Sequence, residues 1–157
     1  MKTIVTTDDR LGGLQIVYAI PVGAAYSVEL NHATGQRSIS FSNTDGVYAL
    51  PCLAEDFVFS EIHERDENGD SWSPTIQGSI PHPSVDNAAD IEALERGEWV
   101  VLCEDHNGTW RLCGDEDTPL TFATETTSGT VSTDKNQVGF TFTGKLGHPS
   151  WVMTSGL

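Results

Sequence analysis

Hydrophobic and polar residues alternate with a period of two along most of this chain. Gln36 to Ser42 puts Ile39 and Phe41 on one face. Phe57-Val-Phe-Ser-Glu-Ile-His-Glu64 sets Phe57, Phe59 and Glu61 against Val58, Ser60 and Ile62. Gly139-Phe-Thr-Phe-Thr-Gly144 repeats the pattern. Side chains of a strand point alternately to its two faces, so this period predicts strands with one buried face. Further strands are expected at Leu14–Ile20, ended by Pro21, and at Ala25–Leu30, Val47–Leu53, Leu120–Thr126 and Ser150–Met153.

The turns support this pattern. Glu98-Trp-Val-Val-Leu-Cys-Glu-Asp105 and Thr109-Trp-Arg-Leu-Cys-Gly114 flank His106-Asn-Gly108. Asn and Gly tolerate positive φ, which makes this a hairpin signal. Asn31–Gly35, Asn43–Gly46 and Asp115–Pro119 are also turns, and Thr126–Asn136 is a polar loop or weak strand. Asp66-Glu-Asn-Gly-Asp70 turns the chain between Phe57–Glu64 and Ser71–Ile80, which predicts a long hairpin at about 57–80 with a charged tip. Its returning arm is less apolar than a core strand, as suits an arm exposed on one face or packed on a neighbouring chain.

One helix is expected, at about 85–96. Ser84 or Asp86 can cap it, Ile91 and Leu94 share a face, and Gly97 stands where a C-cap glycine belongs. The fold class is therefore mainly β: an antiparallel sandwich or barrel with one short flanking helix, in a single domain over 1–157.

Charge narrows the function. The chain has 23 acidic against 8 basic residues, a net charge of −15. Tight binding of nucleic acid needs Lys and Arg at the phosphates, so it is disfavoured, as is an anionic membrane surface. The acids give either a soluble surface or a face that repels something such as DNA. No targeting segment is read: Met1–Arg10 has no long apolar run, and Leu14–Val22 is too short to span a bilayer. Secretion by a signal peptide is not expected, so the Asn107-Gly-Thr109 sequon reads as a turn. Cys52, Cys103 and Cys113 read as buried reduced thiols, with a cross-strand approach of Cys103 to Cys113 conceivable.

No catalytic, cofactor-binding or metal-ligating residue is singled out, and neither a cofactor nor an enzyme activity is expected. Asp66–Asp70 offers alternating oxygen ligands, but its glycine falls too early for a calcium loop and Gln77 stands where a bidentate Glu belongs. Asp115-Glu-Asp117 fares the same. Ser132-Thr-Asp-Lys135 matches a Ser-x-x-Lys pattern but sits in a polar turn region. His32, His63, His82, His106 and His148 have no ligand spacing and read as exposed or locally bonded imidazoles. Trp72, Trp99, Trp110 and Trp151 could form a sugar platform, but at strand positions they read first as core or interface anchors.

A family resemblance spans most of the chain. It rests on Gly-Gly-Leu-x-x-Ile-x-x-Ile-Pro at Gly12–Pro21, a Phe-rich strand with an acidic hairpin at Phe57–Asp70, and Ile-Gln-Gly-Ser-Ile-Pro at Ile76–Pro81. Leu-Glu-Arg-Gly at Leu94–Gly97, the run Val100–Gly114 and Phe-Thr-Phe-Thr-Gly at Phe140–Gly144 follow. This order resembles the small structural proteins of the tail modules of tailed phages and prophages, of tail-tube type. The resemblance implies subunits that self-associate into hexameric rings, stacked as a tube beside other tail proteins. It also implies that the 57–80 hairpin lines the channel or reaches the next ring. A location in the virion, or in the bacterial cytoplasm before assembly, is implied as well. The alternative is an all-β ligand- or carbohydrate-binding module using its Trp residues. A hydrolase with an unrecognised carboxylate pair comes third.

Overall fold

The computed structural model describes residues 12–24, 26–52, 56–81, 85–127 and 137–156. In chain order the strands are β1 (Leu14–Pro21), β2 (Tyr26–Asn31), β3 (Gln36–Phe41), β4 (Tyr48–Pro51), β5 (Val58–Asp66) and β6 (Gly69–Pro81). Helix α1 (Val85–Arg96) follows, then β7 (Glu98–Asp105), β8 (Trp110–Cys113), β9 (Leu120–Thr127), β10 (Gln137–Thr143) and β11 (Trp151–Met153). The mainly β class, the lone helix among the described residues and the long hairpin thus stand as expected, with ends shifted by a residue or two.

The strands form one open, mixed sheet in the order β2-β3-β11-β8-β7-β9-β10-β6-β5, with β1 on β7 and β4 on β1. All pairings are antiparallel except β3 with β11, which meet in parallel at Met153↔Arg37. Strand β5 returns to β1 through one backbone bond, Leu14 N to Phe57 O at 3.0 Å, and no ladder closes the sheet there among the described residues.

Strand β7 is the pivot. One edge carries β1 from Pro21↔Trp99 to Leu14↔Asp105, while the other carries β8 at Val101–Glu104 and β9 at Glu98–Trp99. Trp99, Val101 and Cys103 point into a larger core, Val100 and Leu102 into a smaller one. A strand buried on both faces needs a nearly continuous apolar run, which is why Trp-Val-Val-Leu-Cys does not alternate.

The larger core is centred on Phe122, Phe140 and Phe142, with ring centroids 4.8–5.9 Å apart, and it takes Leu94 from α1. Strand β6 is more interior than its polar sequence suggests. It pairs with β5 on one side and β10 on the other, and Pro74, Ile76 and Ser79 are buried. Small residues make room for large neighbours here: the Phe57 ring lies 2.8 Å from where a Cβ on Gly78 would stand. The β10 ladder stops at Thr75, so Pro74 withholds no N–H from it.

The end of α1 differs from a glycine C-cap. Gly97 is not among the glycines with positive φ. Instead, the Trp99 indole occupies the space a side chain on Gly97 would need, and Trp99 Nε1 donates to the Leu94 carbonyl at 2.8 Å. The Leu94 carbonyl at the helix end thus accepts from Trp99 as well as from the Gly97 N–H at 3.3 Å. Ser84 and the Asp86 side chain, the expected caps, lie outside the described residues. Among the described residues no helix is long and apolar enough to cross a membrane.

Candidate functional site: the β5–β6 hairpin and the joints around it

The hairpin is in register from Val58↔Gln77 to Asp66↔Gly69, with Glu67 and Asn68 at the turn. Asp66 Oδ1 accepts the Asn68 N–H at 2.7 Å, and Gly69 takes φ 120°, which favours glycine. One face carries Phe59, Glu61, His63 and Arg65 opposite Ile76, Pro74, Trp72 and Asp70. Near the base this face lies on the larger core. The last backbone tie to the body is the Trp72–Leu146 bridge, with N···O distances of 2.9 and 2.7 Å. Positions 62–69 are all exposed.

An isolated two-stranded ribbon is marginal in water, and here cross-strand side chains hold its register. His63 stacks on Trp72 with centroids 4.6 Å apart. Asp70 accepts from Arg65 Nε at 2.8 Å, Arg65 Nη2 at 2.9 Å and His63 Nε2 at 3.0 Å. The Arg65 bonds, with His63 second, hold the Asp70 carboxyl below the usual carboxylate range. The opposite face leaves Ile62 62% exposed and Val58 40% exposed. Beyond Phe57, the outer edge of β5 has no strand partner among the described residues, and β2 ends the other side of the sheet.

Two further contacts brace the hairpin against the sheet, and a third joint ties the β8–β9 turn to the loop before β11. Glu61 Oε2 accepts from the Ser150 backbone N–H at 2.9 Å and from its hydroxyl. Arg111 lies over the Phe59 ring at 5.3 Å and pairs with Asp105 at 3.1 Å. In the loop before β11, His148 stacks on Trp151 and reaches Asp115 at 3.0 Å.

The four described arginines are engaged. Arg65, Arg96 and Arg111 each hold a carboxylate, and Arg37 lies over Trp151 at 5.1 Å. Glu64, Asp66 and Glu67 stand exposed at the hairpin tip.

The tryptophans are engaged as well. Trp99 is buried; Trp72 is covered by His63 and the core, and Trp151 by His148 and Arg37. Trp110 stacks on Tyr18 at 6.2 Å and has Gly156 against its ring. Sequence reasoning placed these rings as anchors but missed the two imidazole–indole stacks. The first was within reach, since positions 63 and 72 are equidistant from the 67–68 turn. Nothing in the spacing of His148, Trp151 and Asp115 signals the second.

Three of the carboxylates in the two acidic turns are otherwise occupied: Asp66 closes the turn, Asp70 binds Arg65 and His63, and Asp115 binds Thr118 and His148. Among the described residues no three His, Cys, Asp or Glu groups gather to hold a metal ion. Ser132–Lys135 and His82 lie outside the described residues. A cleft of about 470 Å³ is lined by Asp56, Gln77, Thr124, Glu125 and Thr141, without a histidine or cysteine. Cys103 and Cys113 are free, buried and diagonal across the β7–β8 ladder. A hydrogen bond to Cys113, then burial, pushes the Cys103 thiol well up.

No protein-family model matches the chain, and neither a curated protein nor a solved structure matches it.

Proposed function

We propose that this chain is a structural, non-enzymatic protein of tail-tube type from a tailed phage or prophage, whose copies assemble into rings or a tube with an acidic, DNA-repelling surface. The observation that carries this reading is the β5–β6 hairpin. It is long, its distal half is exposed, its outer edge has no strand partner past Phe57 among the described residues, and its outer face shows Ile62 and Val58 to solvent. Edge strands of this kind are ready to pair with another chain, and an assembly that pairs them removes the liability.

The tip acids give the charge a mechanical role. Carboxylates at Glu64, Asp66 and Glu67 facing a channel would repel phosphates over roughly 8–10 Å at physiological salt. DNA then passes without sticking. The partners are other copies and other tail proteins; the protein resides in the virion, or in the host cytoplasm before assembly. The return of β5 to β1 at Leu14–Phe57 supports a barrel-like wrap of the sheet.

The carbohydrate-binding alternative draws less support, because each tryptophan ring already has a partner packed on it. Negative-stain microscopy and light scattering of concentrated protein test the reading: rings or tubes are expected. Ile62→Lys should weaken their formation about tenfold, from the apolar area it keeps in water. A chain that stays monomeric at every concentration, with tryptophan fluorescence that responds to a glycan panel, overturns it.

A further inference from the structure

His148 faces two acceptors. Its Nε2 is 3.0 Å from Asp115 Oδ2, and its Nδ1 is 2.9 Å from the Pro149 carbonyl oxygen. An ionised carboxylate and a backbone carbonyl both accept and neither donates, while a neutral imidazole has only one N–H. Both contacts are hydrogen bonds only when both ring nitrogens carry a proton.

The surroundings suit that cation. The ring lies nearly parallel to the Trp151 indole, 17° apart, and a cation is attracted by an indole face. Asp115 is fixed in place: its Oδ1 accepts from the Asp117 N–H at 3.0 Å, the Thr118 N–H at 2.7 Å and the Thr118 hydroxyl at 2.9 Å. Burial alone would raise the Asp115 carboxyl, but the bonds from His148, Thr118 and Asp117 outweigh it and hold the group ionised. The other charged or titratable groups around the joint are Glu116 and Asp117 in the β8–β9 turn, Tyr26 of β2 beside Glu116 and Asp115, Glu61 of β5 through Ser150, and Arg37 of β3 over Trp151. Acids outnumber the one guanidinium.

This joint sits at a thin place in the sheet. The β2–β3 hairpin reaches the remaining strands through β11. The hydrogen bonds of that seam are the Met153↔Arg37 bridge, the Thr154 N–H to Arg37 O bond at 2.8 Å and the Thr154 hydroxyl to the same oxygen at 3.1 Å, beside the packing of Ile39 in the smaller core. Arg37 and Trp151, which flank the seam, are the residues the imidazole joint orders.

We propose that His148 is a proton-operated latch: doubly protonated, it clips the β8–β9 turn to β11 and steadies the β3–β11 seam, and loss of one proton loosens the docking of the β2–β3 hairpin. Histidine is the side chain whose unperturbed charge change falls between pH 5 and 8, which sets the pH range of the test.

Two measurements on the full-length, isotope-labelled protein decide it. Long-range proton–nitrogen spectra should show both His148 nitrogens protonated at pH 6. Amide exchange, corrected for its intrinsic pH dependence, should show protection at Arg37–Ile39 and Trp151–Met153 falling about fivefold or more between pH 6 and pH 8, as expected when one charge-assisted bond is lost. Amides of the β6–β10 ladder serve as the unmoved reference. His148→Gln and Asp115→Asn should each abolish the difference. A single-proton tautomer at pH 6, or a pH response in His148→Gln equal to that of the unaltered chain, overturns the latch. The imidazole spectrum decides even if a substitution impairs folding.

Discussion

Replacing Gly97 with alanine should cost far more than its one added methyl suggests. A Cβ at this position would stand 2.5 Å from Trp99 Cζ2, 2.7 Å from Cε2 and 2.9 Å from Nε1, separations that real side chains do not tolerate. The indole has no easy retreat, because Trp99 is 4% exposed and meets Tyr48 edge-on at 5.5 Å. Overpacking a tight site costs about 1–3 kcal/mol. Displacing the ring also breaks the Trp99 Nε1 to Leu94 O bond, whose net worth is about 1 kcal/mol. The sum, roughly 2–4 kcal/mol, corresponds to a melting temperature about 4–16 °C lower for a chain of this size. Thermal and urea unfolding followed by tryptophan fluorescence measure it. Gly147→Ala is the control: nothing lies within 4 Å of a Cβ there and φ is ordinary, so that variant should be unchanged or slightly more stable. If Gly97→Ala melts with Gly147→Ala, the indole is not what demands a glycine at this position.

Phe142→Ala, which removes a fully buried ring from between Phe122 and Phe140, should lower stability by about 3–5 kcal/mol in urea titration. A loss under 1 kcal/mol would place the main core elsewhere. Burial alone would raise the Asp105 carboxyl, but the Thr109 N–H, Arg111 and the Asn107 N–H outweigh it and hold the group below its usual range. A depressed carboxyl contributes stability that is present above its unfolded value of about 3.9 and lost as pH falls through the folded one. The gap in urea midpoint between the unaltered chain and Asp105→Asn should therefore narrow from pH 7 to pH 3; an equal gap at both refutes the assignment. Burial, then the charge of Asp56, pushes the Cys52 thiol up to about 12. With Cys103 and Cys113 buried, iodoacetamide at pH 8 should leave the native chain nearly unlabelled and add three groups in denaturant, because the thiolate is the nucleophile. Rapid native labelling at Cys52 would contradict that environment.

What the sequence could disclose of this fold was set by where the information lies. Strands, turns and the hairpin register are local properties. Period-two alternation marks the former, and the pairing of Arg65 with Asp70 and of His63 with Trp72 follows from counting outward from a two-residue turn. Trp99-Val-Val-Leu-Cys103 reads as one arm of a hairpin, and nothing in it says that three strands share its edges. The order of strands depends on contacts far apart in the chain, as where β11 joins β8 to β3, and no local pattern encodes it. Strand β6 was under-read for the same reason: Ser, Thr, Gln and Gly look like surface residues until β10 is laid beside them and Phe57 fills the space over Gly78. Gly97 reads as a residue of backbone freedom, but the demand on it comes from a ring two residues on.

The same division governs the joints. Each imidazole–indole stack ties the histidine to an aspartate, but only the hairpin stack has its members in register. Asp115 and His148 meet across 33 positions, at a turn and a loop whose approach is fixed by β8 pairing with β11. Motif reasoning seeks groups close in sequence and so passes over such a pair. Its strength as a clue comes instead from hydrogen-bond accounting, in which a ring with two nitrogens and two acceptors has one protonation state that satisfies both.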